Sequence, residues 1–231
     1  MTDDPTIHYV AAGDIFAHLA AQERAEVERL ISYGVFPVGQ IFHSPNEPGE
    51  QLFVLRSGRV RIYKLSPEGR ALTLMVLEPV TIFGEMTLVG QWLHDSFAEA
   101  MTECVIGVIG RDTLRRIIER YPSVAIAFME LMGQRLRAIE NKLADIAFKN
   151  VPQRLASVLL NLAGVPSGQS QPAAPPSVVR YTHQQLAEMI GSYRETVTKA
   201  IGELREAGII RIEDDAITLT DVDRLQRLAN R

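Results

Sequence analysis

One stretch limits the chain's possible folds more than any other: Tyr181 to Ile210, YTHQQLAEMIGSYRETVTKAIGELREAGII. Thr182 can cap a helix, and Gln185 stands three residues on, as in a capping box. Leu186, Ala187 and Ile190 then recur at helical spacing and give one apolar face. Gly191 falls where that helix must stop, because glycine tolerates the left-handed conformation that ends a helix. Ser192, followed by Glu195, reads as a second N-cap. The spacing predicts a second helix from about Tyr193 to Ala207, with Val197, Ala200, Ile201 and Leu204 inward.

Two helices joined by such a turn form a helix-turn-helix, whose second helix is free to enter a major groove. That helix turns Arg194, Glu195, Thr198 and Lys199 outward. Arg and Lys donate to O6 and N7 of guanine, and Glu accepts from the N4 amino group of cytosine. Thr182, Ser192 and Thr196 are of the type that contacts phosphates and sets register. On pattern alone, a plain helical hairpin with charged outer faces is the competing reading.

The segment GSYRETVTKAIGELREAGII resembles the recognition region of the cAMP receptor protein/FNR family of bacterial transcription regulators. Arg194, Glu195, Thr196 and Val197 carry the match; Lys199 stands where many members have Arg. The resemblance covers nearly the whole chain. It implies an α+β fold: an N-terminal β-roll like a cyclic-nucleotide-binding domain over residues 1–121, a long dimerisation helix and hinge over 122–150, and a winged helix-turn-helix over 151–231. It also implies a TGTGA-like half-site repeated as a palindrome, with double-stranded DNA, a second copy of the chain and RNA polymerase as partners.

Composition permits this. A length of 231 residues suits two modest domains or one large one, and a net charge of −4 excludes a uniformly basic nucleic-acid binder without excluding a local basic face. The single Cys104 rules out an internal disulfide framework and fits a reducing cytoplasm. Neither a signal peptide nor a membrane span is legible.

Residues 14–33 read as one or two short amphipathic helices, with Ile15, Phe16, Leu19, Val27, Leu30 and Ile31 inward. From Gly34, short apolar runs broken by Gly, Pro, Asn and Ser have the spacing of strands and turns in a small barrel or jelly roll. By resemblance, LFVLRSGRVRIYKL is a hairpin with Gly58 in its turn. After a short helix at Arg111–Tyr121, Pro122 opens a long one to about Phe148. Its Ala125, Met129, Met132, Leu136, Ile139, Leu143 and Ile146 recur in alternating steps of four and three, a heptad seam that asks for a partner helix. The break at 150–152 precedes an amphipathic helix with Leu155, Val158, Leu159 and Leu162 inward. GVPSGQSQPAAPPSVV then reads as a loop outside any core. Last come a hairpin with the acidic tip Glu213–Asp215, in the position of a wing, and a helix over Asp221–Ala229.

The effector site is expected around VTIFGEM. In the family's cyclic-nucleotide binders a Gly-Glu pair matches Gly84 and Glu85, between Phe83 and Met86. An Arg-Ser pair about eleven residues on clamps the cyclic phosphate. This chain has His94, Asp95 and Ser96 there, and no Arg between Arg70 and Arg111. Asp95 repels a phosphate, and a bidentate Arg has no good substitute. The resemblance also places Ile139 and Glu140 where those binders set Thr and Ser against adenine. The expectation is therefore a regulator that does not depend on cAMP. The alternatives are another small effector, haem ligated by His43, His94 or Cys104 as in the family's gas sensors, or, less favoured, true cAMP dependence. No metal is expected, and the five histidines lack the convergent spacing a cupin-like enzyme needs, so no enzyme is expected.

Overall fold

The computed structural model describes residues 10–11, 13–85, 93–165 and 174–230. The elements run β1 (Val10–Ala11), α1 (Ala21–Glu28), β2 (Ser32–Phe36), β3 (Ile41–His43), β4 (Gln51–Ser57), β5 (Val60–Leu65), β6 (Ala71–Leu77), β7 (Thr81–Phe83), β8 (Phe97–Ala100), β9 (Cys104–Gly110), α2 (Arg111–Arg120), α3 (Pro122–Phe148), α4 (Val151–Leu162), β10 (Ser177–Val179), α5 (His183–Ile190), α6 (Arg194–Glu206), β11 (Ile210–Ile212), β12 (Ala216–Leu219) and α7 (Val222–Ala229). Two compact units result. One holds Leu65–Thr73 and the chain from Arg137 onward; the other holds Ala11–Lys64 and Leu74–Leu136.

Among the described residues the N-terminal strands form two sheets, ordered β1-β6-β5-β8-β3 and β2-β9-β4-β7. Each paired ladder with a resolved register in them is antiparallel. The apolar runs supply Leu55, Val60, Leu77, Phe83, Ala98 and Ile106 to one core. Leu52, Val54, Ile82 and Ile109 pack with α2 and the first half of α3 in another. Phe42, Phe53 and Phe83 meet with ring centroids 4.9–5.8 Å apart. The expected β-roll is present.

Three details differ. In the segment 14–33, which holds the helix α1 and a turn, Leu30 points to solvent rather than inward, because the chain leaves the helix at Arg29 to enter β2. The Gly58 turn does not close a hairpin. β4 and β5 lie in different sheets, so the chain crosses between sheets there. Gly58 has φ +89°, and a Cβ on it would stand 2.2 Å from the Glu103 carbonyl oxygen. Third, β5 buries Val60 and Tyr63 but leaves Leu65, its last residue, exposed to solvent.

Helix α3 has two faces. Val124, Ala127, Leu131, Arg135, Ala138, Lys142 and Asp145, at steps of three or four, are buried. Met129, Leu136, Ile139, Leu143 and Ile146 lie on another face and are exposed, Leu136 at 60% and Leu143 at 67%. Of the remaining seam residues, Met132 leans back onto the core of its own unit.

In the C-terminal part, Asn150 caps α4 through a capping box with Gln153, which fixes the break after α3. Helix α4 packs on α5, α6 and α7 through Leu155, Val158 and Leu159. β10, β12 and β11 form a three-stranded antiparallel sheet. Thus Ser177–Val179, expected to be loop, is a strand, and Val178 is buried in the core. Within that stretch, 166–173 lies outside the described residues.

Candidate DNA-reading face and effector site

Thr182 accepts from the backbone N–H of Gln185 while the Gln185 side chain accepts from Thr182 N–H, the capping box expected of α5. Gly191 closes α5 at φ +64°. Ser192 is not the N-cap of α6. Its backbone N–H donates to the Ala187 carbonyl as part of the turn, and Tyr193 takes the cap position without a side-chain bond. Val197, Ala200, Ile201 and Leu204 are buried, so α6 presents Arg194, Glu195, Thr196, Thr198 and Lys199 outward.

The geometry limits what each can do. Arg194 and Glu195 form no ion pair among the described residues. Lys199 lies 4.0 Å from Glu203, a solvent-screened approach that leaves it available. Thr182 uses its oxygen as an acceptor, so its hydroxyl proton is free to reach a phosphate. Thr198 differs. Its one proton goes to the Arg194 carbonyl at 2.9 Å, and its oxygen lies 2.8 Å from His183 Nδ1. That nitrogen must then carry the hydrogen, and Thr198 keeps only its methyl for a base. His183 has no sequence signal for this role, since fifteen residues separate the pair. The wing tip is tied down by Arg180, which donates to the carbonyls of Glu213 and Asp214.

Around the effector site, Phe83, Glu85, His94 and Ser96 are buried. Gly84 holds φ +83°. Met86 lies outside the described residues. The Asp95 carboxylate meets Lys64 Nζ at 2.9 Å. Burial pushes its pKa up, but the Lys64 bond and charge outweigh this and hold the carboxyl below the usual range. The sequence reading missed Arg135. From α3 it donates to Glu85 Oε1 at 2.8 Å and to the Thr81 hydroxyl at 3.3 Å, and it also bonds the Ile82 carbonyl. It lies on the buried face of α3, in step with Leu131 and Ala138, a face that only the packing reveals. Ile139 and Glu140 are exposed on α3.

The haem-ligand candidates are all engaged. His43 and His94 stack with centroids 3.9 Å apart and planes 7° from parallel, and His43 Nδ1 lies 2.9 Å from the Ser96 carbonyl oxygen. Burial, and after it the His94 charge, lower the His43 pKa to about 4; burial lowers His94 as well. Cys104 is buried, its thiol donating to backbone carbonyls at 3.3 Å, and burial raises its pKa. Among the described residues there is no cluster of three His, Cys, Asp or Glu that could hold a metal, and no helix long and apolar enough to cross a membrane.

Known proteins agree with this architecture. The family model of the cyclic nucleotide-binding domain matches residues 34–121, and that of the Crp-like helix-turn-helix domain matches 153–228. A CRP-like cAMP-activated global transcriptional regulator of Mycobacterium tuberculosis is 31% identical over 95% of this chain and 98% of its own length. The chain belongs to the CRP/FNR family of transcription regulators. A second relative, the transcriptional regulator SdrP of Thermus thermophilus, is 32% identical over 84% of this chain and 92% of its own length. The crystal structure of a CRP/FNR transcriptional regulator from the same organism superposes with a TM-score of 0.71 at 30% identity, covering 87% of this chain and 99% of the other. The likeness spans β-roll, long helix and helix-turn-helix, so this chain is a helix-turn-helix DNA-binding transcription regulator with a cyclic-nucleotide-binding-like domain.

Proposed function

We propose that the protein is a homodimeric reader of palindromic DNA with TGTGA-like half-sites, and that its DNA-binding form does not require cAMP. The observation that carries the DNA reading is α6: a buried inner face, and Arg194, Glu195 and Lys199 outward near its N-terminus. Arg194 donates to a guanine, Glu195 accepts from a cytosine amino group, and Lys199 contacts a second guanine more weakly than Arg, lacking the bidentate fork. Thr182, Ser192 and Thr196 hold the backbone phosphates. The functional division is 1–121 for sensing or scaffolding, 122–150 for dimerisation and hinge, and 151–231 for DNA, with RNA polymerase as the further partner and the cytoplasm as the place of action.

A cyclic nucleotide fits this site poorly, although the M. tuberculosis relative is described as cAMP-activated. Its phosphate would meet Asp95, whose carboxylate is held ionised by Lys64. The guanidinium in the site, Arg135, is bound to Glu85 and to backbone. Haem ligation by His43 or His94 would require parting their stacked rings.

The test is binding to a labelled TGTGA palindrome at about physiological salt, against scrambled competitor, with and without cAMP. Tight specific binding without cAMP is expected. Specific binding only with cAMP would overturn the effector reading, and no preference over scrambled duplex would overturn the half-site. Glu195→Ala should relax discrimination at one base pair by about 1–3 kcal/mol.

A further inference from the structure

Helix α6 begins without a side-chain cap, so no cap bond from its own N-cap side chain fixes where it starts. Its N-cap residue, Tyr193, is instead held from far away in the sequence. The Arg70 guanidinium carbon lies 4.1 Å from the Tyr193 ring centroid, and Nη1 donates to the phenolic oxygen at 3.1 Å. Arg70 is presented by a closed turn between β5 and β6. Ser66 N–H donates to the Arg70 carbonyl at 2.8 Å, Gly69 N–H to the Ser66 carbonyl at 2.9 Å, and Arg70 N–H to the Ser66 hydroxyl at 3.2 Å. This tip, Leu65–Thr73, belongs to the same compact unit as α6. Leu72 of the tip approaches Gly191, the residue that ends α5, closely enough that a Cβ there would meet its Cδ1 at 3.4 Å. The tip is itself anchored, because the buried Lys142 of α3 donates to the Thr73 carbonyl. A guanidinium stacked on an aromatic face and bonded to its hydroxyl fixes both direction and distance, which a point charge does not.

We propose that Arg70 is a positioning residue for DNA recognition: through Tyr193 it sets where α6 starts, and so where Arg194 and Glu195 meet the bases. This rests on the reading of α6 as the base-reading helix. The other role open to an arginine beside a recognition helix is direct neutralisation of a phosphate, and salt dependence separates the two. A phosphate contact contributes equally to specific and non-specific DNA, and its loss lowers the slope of log K against log salt by about one per contact. A positioning residue leaves both the non-specific affinity and that slope unchanged.

The experiment measures affinities of the full chain for its specific palindrome and for scrambled duplex across a salt series, for the wild type, Arg70→Ala, Arg70→Lys, Tyr193→Ala and the Arg70→Ala/Tyr193→Ala pair. Thermal unfolding of each confirms that it is folded. The expected result is an about fivefold drop in the specific-to-non-specific ratio for Arg70→Ala, an unchanged salt slope, and incomplete rescue by Arg70→Lys. The double variant should be no worse than Tyr193→Ala alone. Equal loss on both duplexes with a shallower slope, or an unchanged ratio beside a discriminating wild type, would overturn the inference alone. A wild type that does not discriminate would overturn the DNA reading together with it.

Discussion

The Arg135–Glu85 pair shows how one side chain can organise a site. Both residues are nearly inaccessible, and the 2.8 Å bond between them is backed by Thr81 and the Ile82 carbonyl. Removing one partner strands a buried charge, so Arg135→Leu should cost about 3–5 kcal/mol in urea unfolding, while Arg135→Leu/Glu85→Leu recovers most of it. A double variant as unstable as the single one would show that the pair is not the source of the loss. The stacked His43 gives a second prediction. Its folded pKa, about 4, lies below the ordinary histidine value of 6.5, so the unfolded chain binds the extra proton between those pH values. The fold therefore loses stability as pH falls through that window, and His43→Gln should flatten the loss; identical pH profiles would refute this. Neither feature was legible in the sequence. Arg135 is one charged residue in a helix, and charged residues are ordinarily solvent-facing; only the packing partners of α3 show otherwise. Asp95, by contrast, was legible as a misfit to phosphate from its identity alone, although Lys64 as its partner was not.

At the scale of elements, legibility followed locality. Helix α5 was readable to the residue because its start and stop are written in Thr182, Gln185 and Gly191, all within one helix length. Thr182→Ala should therefore cost about 1 kcal/mol of thermal stability in the C-terminal part, and an unchanged midpoint would show the cap to be dispensable. The start of α6 was misread by one residue because Ser192 looks like a cap, while the group that holds Tyr193 comes from Arg70. β10 was read as loop because three residues after a Pro-rich stretch carry no periodicity; only pairing with β12 makes them a strand. The same holds for Gly58. Its glycine was visible, but the change of sheet was not, because sheet membership depends on β8 and β9, some forty residues on. Gly58→Ala should destabilise by about 2–3 kcal/mol, since the added Cβ meets the Glu103 carbonyl and Cys104 rather than a movable side-chain end.

For the whole molecule, the decisive element is α3. Its two faces have different roles. The buried face carries Arg135, Lys142 and Asp145 among small and apolar residues, and the other holds Met129, Leu136, Ile139, Leu143 and Ile146 exposed along one helix. An apolar stripe of that length is stable in water only when covered, and an identical helix offers a complementary seam. A two-fold partner also matches a palindrome, with one α6 for each half-site. Linking two weak half-site contacts raises affinity through effective concentration, by about two to four orders of magnitude, without any new contact to DNA. Leu136→Glu/Leu143→Glu places charges in that seam, off the buried face of α3. The variant should sediment as a folded monomer and lose its affinity for the palindrome by a factor in that range. Its affinity for a duplex carrying one half-site should stay within about twofold of the affinity that one wild-type subunit provides. A variant that remains dimeric would place the interface elsewhere on the chain. A monomer that still binds the palindrome as tightly as the wild type would mean that α3 does not couple the two reading helices.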